Sequence, residues 1–191
     1  MEILVVGGAG AMGRWFVDFF RNRGWSVDVS DPGAEVNVPL ERADEYDAVV
    51  VAVPIDSTPD VIDQVASRMH DGLLMDVTSV KQEPVEAMRA APEDIELLGT
   101  HPMFGPSVRS MRGQTVIVVR ERPGPLTERV VDAFADAGAN VQEATAHEHD
   151  EMMSVVQGLT HYSLISIGCA LERLDFDVDE SRRFMSPVYE I

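Results

Sequence analysis

The sequence predicts a doubly wound α/β fold, in which a largely parallel β-sheet carries helices on both faces and is followed by an all-helical C-terminal segment. Three observations predict it. Short apolar runs alternate with amphipathic helical stretches from Met1 to about Thr145, the pattern of repeated βα units. A glycine-rich turn joins the first apolar run to the first helix. Beyond Ala146 the strand signal stops and only helical spacing remains.

The elements follow in order. Met1–Gly7 is a short apolar strand, and Ala11–Arg23 is a helix whose Met12, Trp15, Phe16, Phe19 and Phe20 recur on one face. Ser26–Ser30 alternates like a strand and ends at Asp31-Pro32-Gly33. Ala48–Val53 is a continuous apolar run of the buried parallel kind, closed by Pro54 and followed by a helix from about Pro59 to Met69. Leu73–Val77 is a strand, Glu83–Ala91 a helix with Pro84 in its first turn, and Ile95–Gly99 and Thr115–Val119 are strands. Pro125–Ala137 is a helix closed by Gly138, and Val141–Thr145 is the last short strand. A long helix over His147–Leu174 and a further one over Asp179–Met185 complete the chain, with a domain boundary near Ala146. The stretch Leu164–Leu171 is apolar or small nearly all round, so that helix is expected to be covered, most simply by a second copy in a homodimer.

Composition narrows the function. Among 191 residues, 33 acids against 15 bases give a net charge of −18, which repels polyanions and excludes nucleic acid as a partner. Only one of the bases is a lysine, Lys81. An acidic, lysine-poor surface suits a salt-loaded cytoplasm, where a Debye length of about 3 Å at 1 M salt screens self-repulsion, so a halophilic protein is expected. The single Cys169 gives no disulfide framework, and no apolar stretch reaches the length of a membrane span. Met1 leads into an apolar strand with no basic leader, so a cytoplasmic protein is expected.

Gly8-Ala9-Gly10-Ala11-Met12-Gly13 fits G-x-G-x-x-G between a strand and a helix, and Asp31 ends the second strand 18 residues after Gly13. Together they point to a Rossmann-like dinucleotide site over residues 1–146. The first glycine is expected to make the tight turn, the second to admit the pyrophosphate, and the third to let helix and strand pack. Gly8, Gly10, Ala11, Met12, Gly13, Asp31, Val53 and Pro54 are the candidate cofactor residues. The Asp31 carboxylate accepts from a ribose 2′-hydroxyl and repels a 2′-phosphate, which favours NAD over NADP.

Two further loops follow strand ends, the edge where open α/β sheets bind ligands. Asp76-Val77-Thr78-Ser79-Val80-Lys81 carries the lone lysine, held by either an anionic substrate or a neighbouring carboxylate. Gly99-Thr100-His101-Pro102-Met103-Phe104-Gly105-Pro106 holds one histidine in a loop braced by two prolines; His101 is either a general base or a loop brace. Gln157 and His161 form an i,i+4 pair on the long helix. No ligand spacing for a metal is present. His147 and His149 are read as helix N-terminal residues, and His70 as an exposed helix end.

The set G-G-A-G-A-M-G-R, D-V-T-S-V-K, G-T-H-P-M-F-G-P, E-H-D-E-M-M, Q-G-L-T-H and S-P-V-Y resembles prephenate dehydrogenase, in order and spacing along essentially the whole chain. The resemblance implies NAD-dependent oxidative decarboxylation of prephenate to 4-hydroxyphenylpyruvate on the route to tyrosine. It implies that His101 accepts the proton of the ring hydroxyl and that Ser79 hydrogen-bonds His101. It further implies that Lys81, His161 and Gln157 border the substrate, and that an arginine after the long helix, taken as Arg183, binds a carboxylate. Residues 147–191 would then begin a helical substrate and dimerisation domain that ends short of the family's usual length. Arogenate as substrate, or an NAD-binding module without turnover, are the alternatives.

Overall fold

The computed structural model describes residues 1–174, 177–181 and 183. Seven strands form one sheet: Glu2–Val6 (β1), Ser26–Ser30 (β2), Ala48–Val51 (β3), Gly72–Asp76 (β4), Ile95–Pro102 (β5), Thr115–Arg122 (β6) and Asn140–Glu143 (β7). Their spatial order is β2-β1-β3-β4-β5-β6-β7. All neighbours pair in parallel except β5 and β6, which run antiparallel. Four helices accompany the sheet, Ala11–Asn22 (α1), Thr58–Ala66 (α2), Gln82–Met88 (α3) and Pro125–Asp136 (α4). Then come the 28-residue helix Ala146–Arg173 (α5) and the short Val178–Ser181 (α6). The expected helix over 179–185 lies partly outside the described residues. This is the expected Rossmann-like architecture, with short 3-10 turns at Leu40–Glu45 and Ile55–Ser57 that the sequence did not announce.

The central strands read as unbroken apolar runs because both faces of the sheet are covered. Alternate side chains serve two cores. Ile3, Val5, Ala48, Val50, Leu73 and Met75 face α1 and α4, where they meet Phe16, Phe20 and Phe134. Leu4, Val6, Val49, Val51 and Leu74 face the other way, onto Ile62 and Val65 of α2 and Met88 of α3. Each of these large side chains contributes about 1.5–3 kcal/mol by leaving water. The helix ends obey local rules: α4 starts with Pro125 in its first turn and is followed by Gly138 at φ +84°.

One expectation changes. β5 does not stop at Gly99, so His101 is not in a loop. The antiparallel partner β6 carries the ladder on, pairing Thr100 with Val118, His101 with Ile117 and Pro102 with Val116. His101 is therefore fixed by backbone hydrogen bonds, and the proline braces only the strand's end. The chain divides into a compact unit over Met1–Asp150 and one beginning at Glu151, inside α5. The physical reason lies in the first turn of α5, which is hydrogen-bonded to β5 and to the start of α3.

In the second unit, α5 leaves Val155, Leu159, Tyr162, Leu164, Ile165 and Ile167 exposed, so the stretch expected to be covered has no cover among the described residues. No helix among the described residues is long and apolar enough to cross a membrane.

Candidate active site

The carboxyl ends of β1, β3, β4 and β5 lie along one edge of the sheet, and the chemistry-bearing residues of the first unit gather there. At the end of β1 the glycine turn is tighter than its motif implies. Gly7, just ahead of the motif, takes the left-handed φ of +82°, and a Cβ there would stand 2.5 Å from the Ala52 carbonyl oxygen. The tight turn thus belongs to Gly7, not to Gly8, whose missing side chain instead admits Val29. The Gly-Gly pair was the signal. A Cβ on Gly13 would overlap the Gly7 carbonyl and stand 2.8 Å from the Gly8 Cα, so α1 and β1 pack backbone to backbone as expected.

Gly10 is the N-cap of α1 and makes no side-chain cap, and no acid lies in the first turn. The first N–H groups of α1, those of Ala11, Met12 and Gly13, have no side-chain acceptor among the described residues, and the helix dipole adds positive potential there. Ala11 is exposed, whereas Met12 packs back against the aromatic core. A cavity of about 560 Å³ opens beside the turn, lined among others by Gly7, Gly10, Asp31, Val53, Pro54 and Arg68. Asp31 accepts the Ala9 N–H at 3.0 Å and the Gly33 N–H at 2.7 Å, which ties the glycine turn to the end of β2. A cavity of this size with a carboxylate on its wall and bare helix N–H groups at its rim fits an adenosine diphosphate moiety.

At the end of β4, Asp76 is fully buried. One of its oxygens accepts the Thr78 N–H at 2.9 Å and pairs with the Lys81 ammonium; the other has no partner among the described residues. Lys81 is 0% exposed and its Nζ also lies 3.4 Å from the Thr78 hydroxyl. Burial pulls the ammonium below the usual lysine range, against the opposing pull of Asp76. Of the two holders left open for Lys81, the neighbouring carboxylate is in place, in Asp76. Ser79 lies half-buried in the same loop.

His101 is 4% exposed, and its Nδ1 lies 2.8 Å from Nε2 of His149, not against Ser79. His149 is 2% exposed and its Nδ1 lies 2.7 Å from Oδ1 of Asp150. Asp150 also accepts the backbone N–H groups of Lys81, at 2.8 Å, and Gln82, at 2.9 Å, and so caps α3 from across the fold. Burial raises the proton affinity of Asp150, but the hydrogen bonds from Gln82, His149 and Lys81 outweigh it and hold the carboxyl below the usual range. Burial first, then the charges of His149 and Lys81, push His101 down to about 4, with Asp150 opposing. At neutral pH its imidazole is neutral and has a lone pair to offer.

His149 is thus not simply a helix-end residue. Thr145 and Glu148 form a capping box, with Glu148 N–H donating to the Thr145 hydroxyl at 3.2 Å and Thr145 N–H to Glu148 at 2.9 Å. That box sets where α5 starts and turns His149 inward while His147 stays exposed. The T-x-x-E spacing ahead of H-D was the available signal. His70 is exposed, as expected, and pairs with Asp44 at 2.9 Å. Gln157, half-buried, and His161 and Arg183, both exposed, fall in the second unit. Among the described residues no group of three or more His, Cys, Asp or Glu is placed to hold a metal.

The nucleotide-binding domain of prephenate dehydrogenase, as a family model, matches residues 22–142, and the dimerization domain of prephenate dehydrogenase matches residues 145–191. The chain belongs to the prephenate dehydrogenase family. Similar members include a probable arogenate/prephenate dehydrogenase of Methanocaldococcus jannaschii, 38% identical over all of this chain and 47% of that protein. The T-protein of Enterobacter agglomerans is 32% identical over 99% of this chain and 50% of its own length. The chain spans about half the length of the curated relatives it matches. Among solved structures, prephenate dehydrogenase from A. aeolicus in complex with hydroxyphenyl propionate and NAD+ shares the fold at a TM-score of 0.74. It is 19% identical, over 94% of this chain and 73% of that one. The match to the prephenate dehydrogenase nucleotide-binding domain begins after the glycine turn, so that turn rests on its own geometry.

Proposed function

We propose that the chain carries the cofactor-binding and catalytic part of an NAD-dependent prephenate dehydrogenase, which converts prephenate to 4-hydroxyphenylpyruvate in tyrosine biosynthesis. The observation that carries this reading is a buried, neutral His101, backbone-anchored on β5 at the same sheet edge as the glycine turn. The bare N–H groups of α1 would hold the pyrophosphate and Asp31 the adenosine ribose, whose 2′-phosphate form its carboxylate would repel. Bound there, the nicotinamide supplies a hydride acceptor.

The chain's own part is proton handling. His101 accepts the proton of the C4 hydroxyl at Nε2 while C4 gives up its hydride. The bond from C1 to its carboxylate then breaks, CO2 leaves, and the electron pair completes an aromatic ring whose oxygen is a phenolate. His101 returns the proton to that oxygen, so no net proton is released. Ser79, on the loop after β4, and Gln157, His161 and Arg183 of the second unit are proposed to contact the substrate, with the arginine on a carboxylate. Arogenate differs by an amino group, and the name of the M. jannaschii relative keeps it as the second substrate to assay.

The test is reduced-cofactor absorbance with NAD and either prephenate or arogenate, in concentrated KCl to suit the proposed halophilic, cytoplasmic setting. Turnover is expected, and His101→Asn is expected to lower kcat by about 10²- to 10⁴-fold. NAD binding without turnover on either compound would leave only the cofactor-binding module.

The exposed apolar side chains of α5 support a homodimer through the C-terminal helices, in keeping with the matched dimerization domain. Light scattering is expected to give twice the mass of 21.0 kDa; a well-behaved monomer would overturn it.

A further inference from the structure

We propose that His149 and Asp150 complete a proton relay with His101, in which the proton accepted at Nε2 of His101 is balanced by transfer of its Nδ1 proton to His149, beside the Asp150 carboxylate. The proposal rests on the dehydrogenase reading for the source of that proton. Its internal geometry stands apart from that reading.

With His149 neutral, the hydrogen-bond chain admits one assignment. Asp150, fixed by the N–H groups of Lys81 and Gln82, is an acceptor only. Nδ1 of His149, at 2.7 Å from it, therefore carries a hydrogen. A neutral imidazole has one N–H, so Nε2 of His149 is an acceptor. Nδ1 of His101, at 2.8 Å, must then be the donor, which leaves Nε2 of His101 as the accepting nitrogen. Helix capping alone explains the two backbone bonds of Asp150. It does not explain why a second imidazole, 2% exposed, lies between that carboxylate and His101 with its rings 5.0 Å apart at 68°.

The relay answers a difficulty at His101. Burial disfavours its charged form most, then His149 from α5 and Lys81 from the loop after β4, and among the described residues Asp150 opposes them. The Asp76 carboxylate nearby is engaged with Lys81. Held down to about 4, His101 stores a proton poorly at neutral pH. In the relay the substrate O–H breaks as His101 Nε2–H forms, and His101 Nδ1–H breaks as His149 Nε2–H forms. His101 stays neutral, and the positive charge sits on a His149 imidazolium against Asp150, which itself takes no proton. Reversal returns the proton to the phenolate, and no other reactant is needed.

The chain has five histidines, few enough to assign by nitrogen-15 NMR on the full chain at neutral pH. Expected is His101 protonated at Nδ1 alone. Asp150→Asn, which removes the carboxylate beside the His149 ring, should lower kcat. His149→Gln leaves the α3 cap intact and can still accept the His101 Nδ1–H through its amide oxygen, but it cannot take a proton. Its kcat is expected to fall by about 10²- to 10⁴-fold while His101 keeps its tautomer. A His101 protonated at Nε2 at neutral pH, or a His149→Gln enzyme with wild-type kcat, would overturn the relay. If the chain oxidises neither prephenate nor arogenate, the dehydrogenase reading fails and the His101 tautomer alone decides the relay.

Discussion

Lys81→Met is expected to destabilise the first unit by about 3–5 kcal/mol, read as a lower urea midpoint with an unchanged slope. The ammonium of Lys81 and the carboxylate of Asp76 are both fully buried. Removing the cation leaves Asp76 with the Thr78 N–H and hydroxyl as its remaining donors on one oxygen, and with no donor on the other. Methionine fills the space of the lysine stem, so lost packing contributes little. The double variant Asp76→Leu/Lys81→Met should recover most of the loss, because a buried ion pair replaced as a whole is often neutral or stabilising. A single variant as stable as the parent would mean that the pair is not buried as described. The substitution also removes one of the charges that depress His101, so the His101 proton affinity should rise in Lys81→Met, in a direction that a desolvation change alone would not require.

Gly13→Ala is the second large effect. Its Cβ would meet backbone on the β1 side, where no rotamer change gives relief. Overpacking of this kind costs about 1–3 kcal/mol or more. The strain has to be released by moving the start of α1 away from β1, which also displaces the N–H groups proposed to hold the pyrophosphate. NAD affinity, followed by nucleotide fluorescence titration, is expected to fall at least about tenfold, equivalent to 1.4 kcal/mol. Gly10→Ala meets only the Gly7 carbonyl, at 3.2 Å, and should lose less on both measures. Equal losses in the two variants would argue that the turn tolerates no side chain anywhere, rather than that one helix–strand contact decides.

Some of this was legible in the residues because the physics is local. A strand buried on both faces has no polar positions, so Ala48–Val51 and Leu73–Met75 declare themselves. The helices of α1 and α4 declare themselves by spacing and caps. Strand direction is not local: nothing in Thr115–Val119 says that it runs against Ile95–Gly99, and that antiparallel pairing is what draws His101 out of its expected loop and onto β5. His149 and Asp150 stayed hidden for a similar reason. At a helix start a histidine and an aspartate already have a sufficient explanation, and their partners are 48 and 69 residues away along the chain, at His101 and Lys81. Lys81 was singled out by its rarity, which marked it as held without saying by what.

The first turn of α5 has a consequence for anyone who recombines members of this family. A crossover placed where the last strand ends, the natural choice when exchanging the helical half between relatives, would graft a foreign residue behind His101 and remove the cap of α3 at a stroke. The heritable unit of this centre extends to Asp150, so an exchange that respects the chemistry is spliced within the helix.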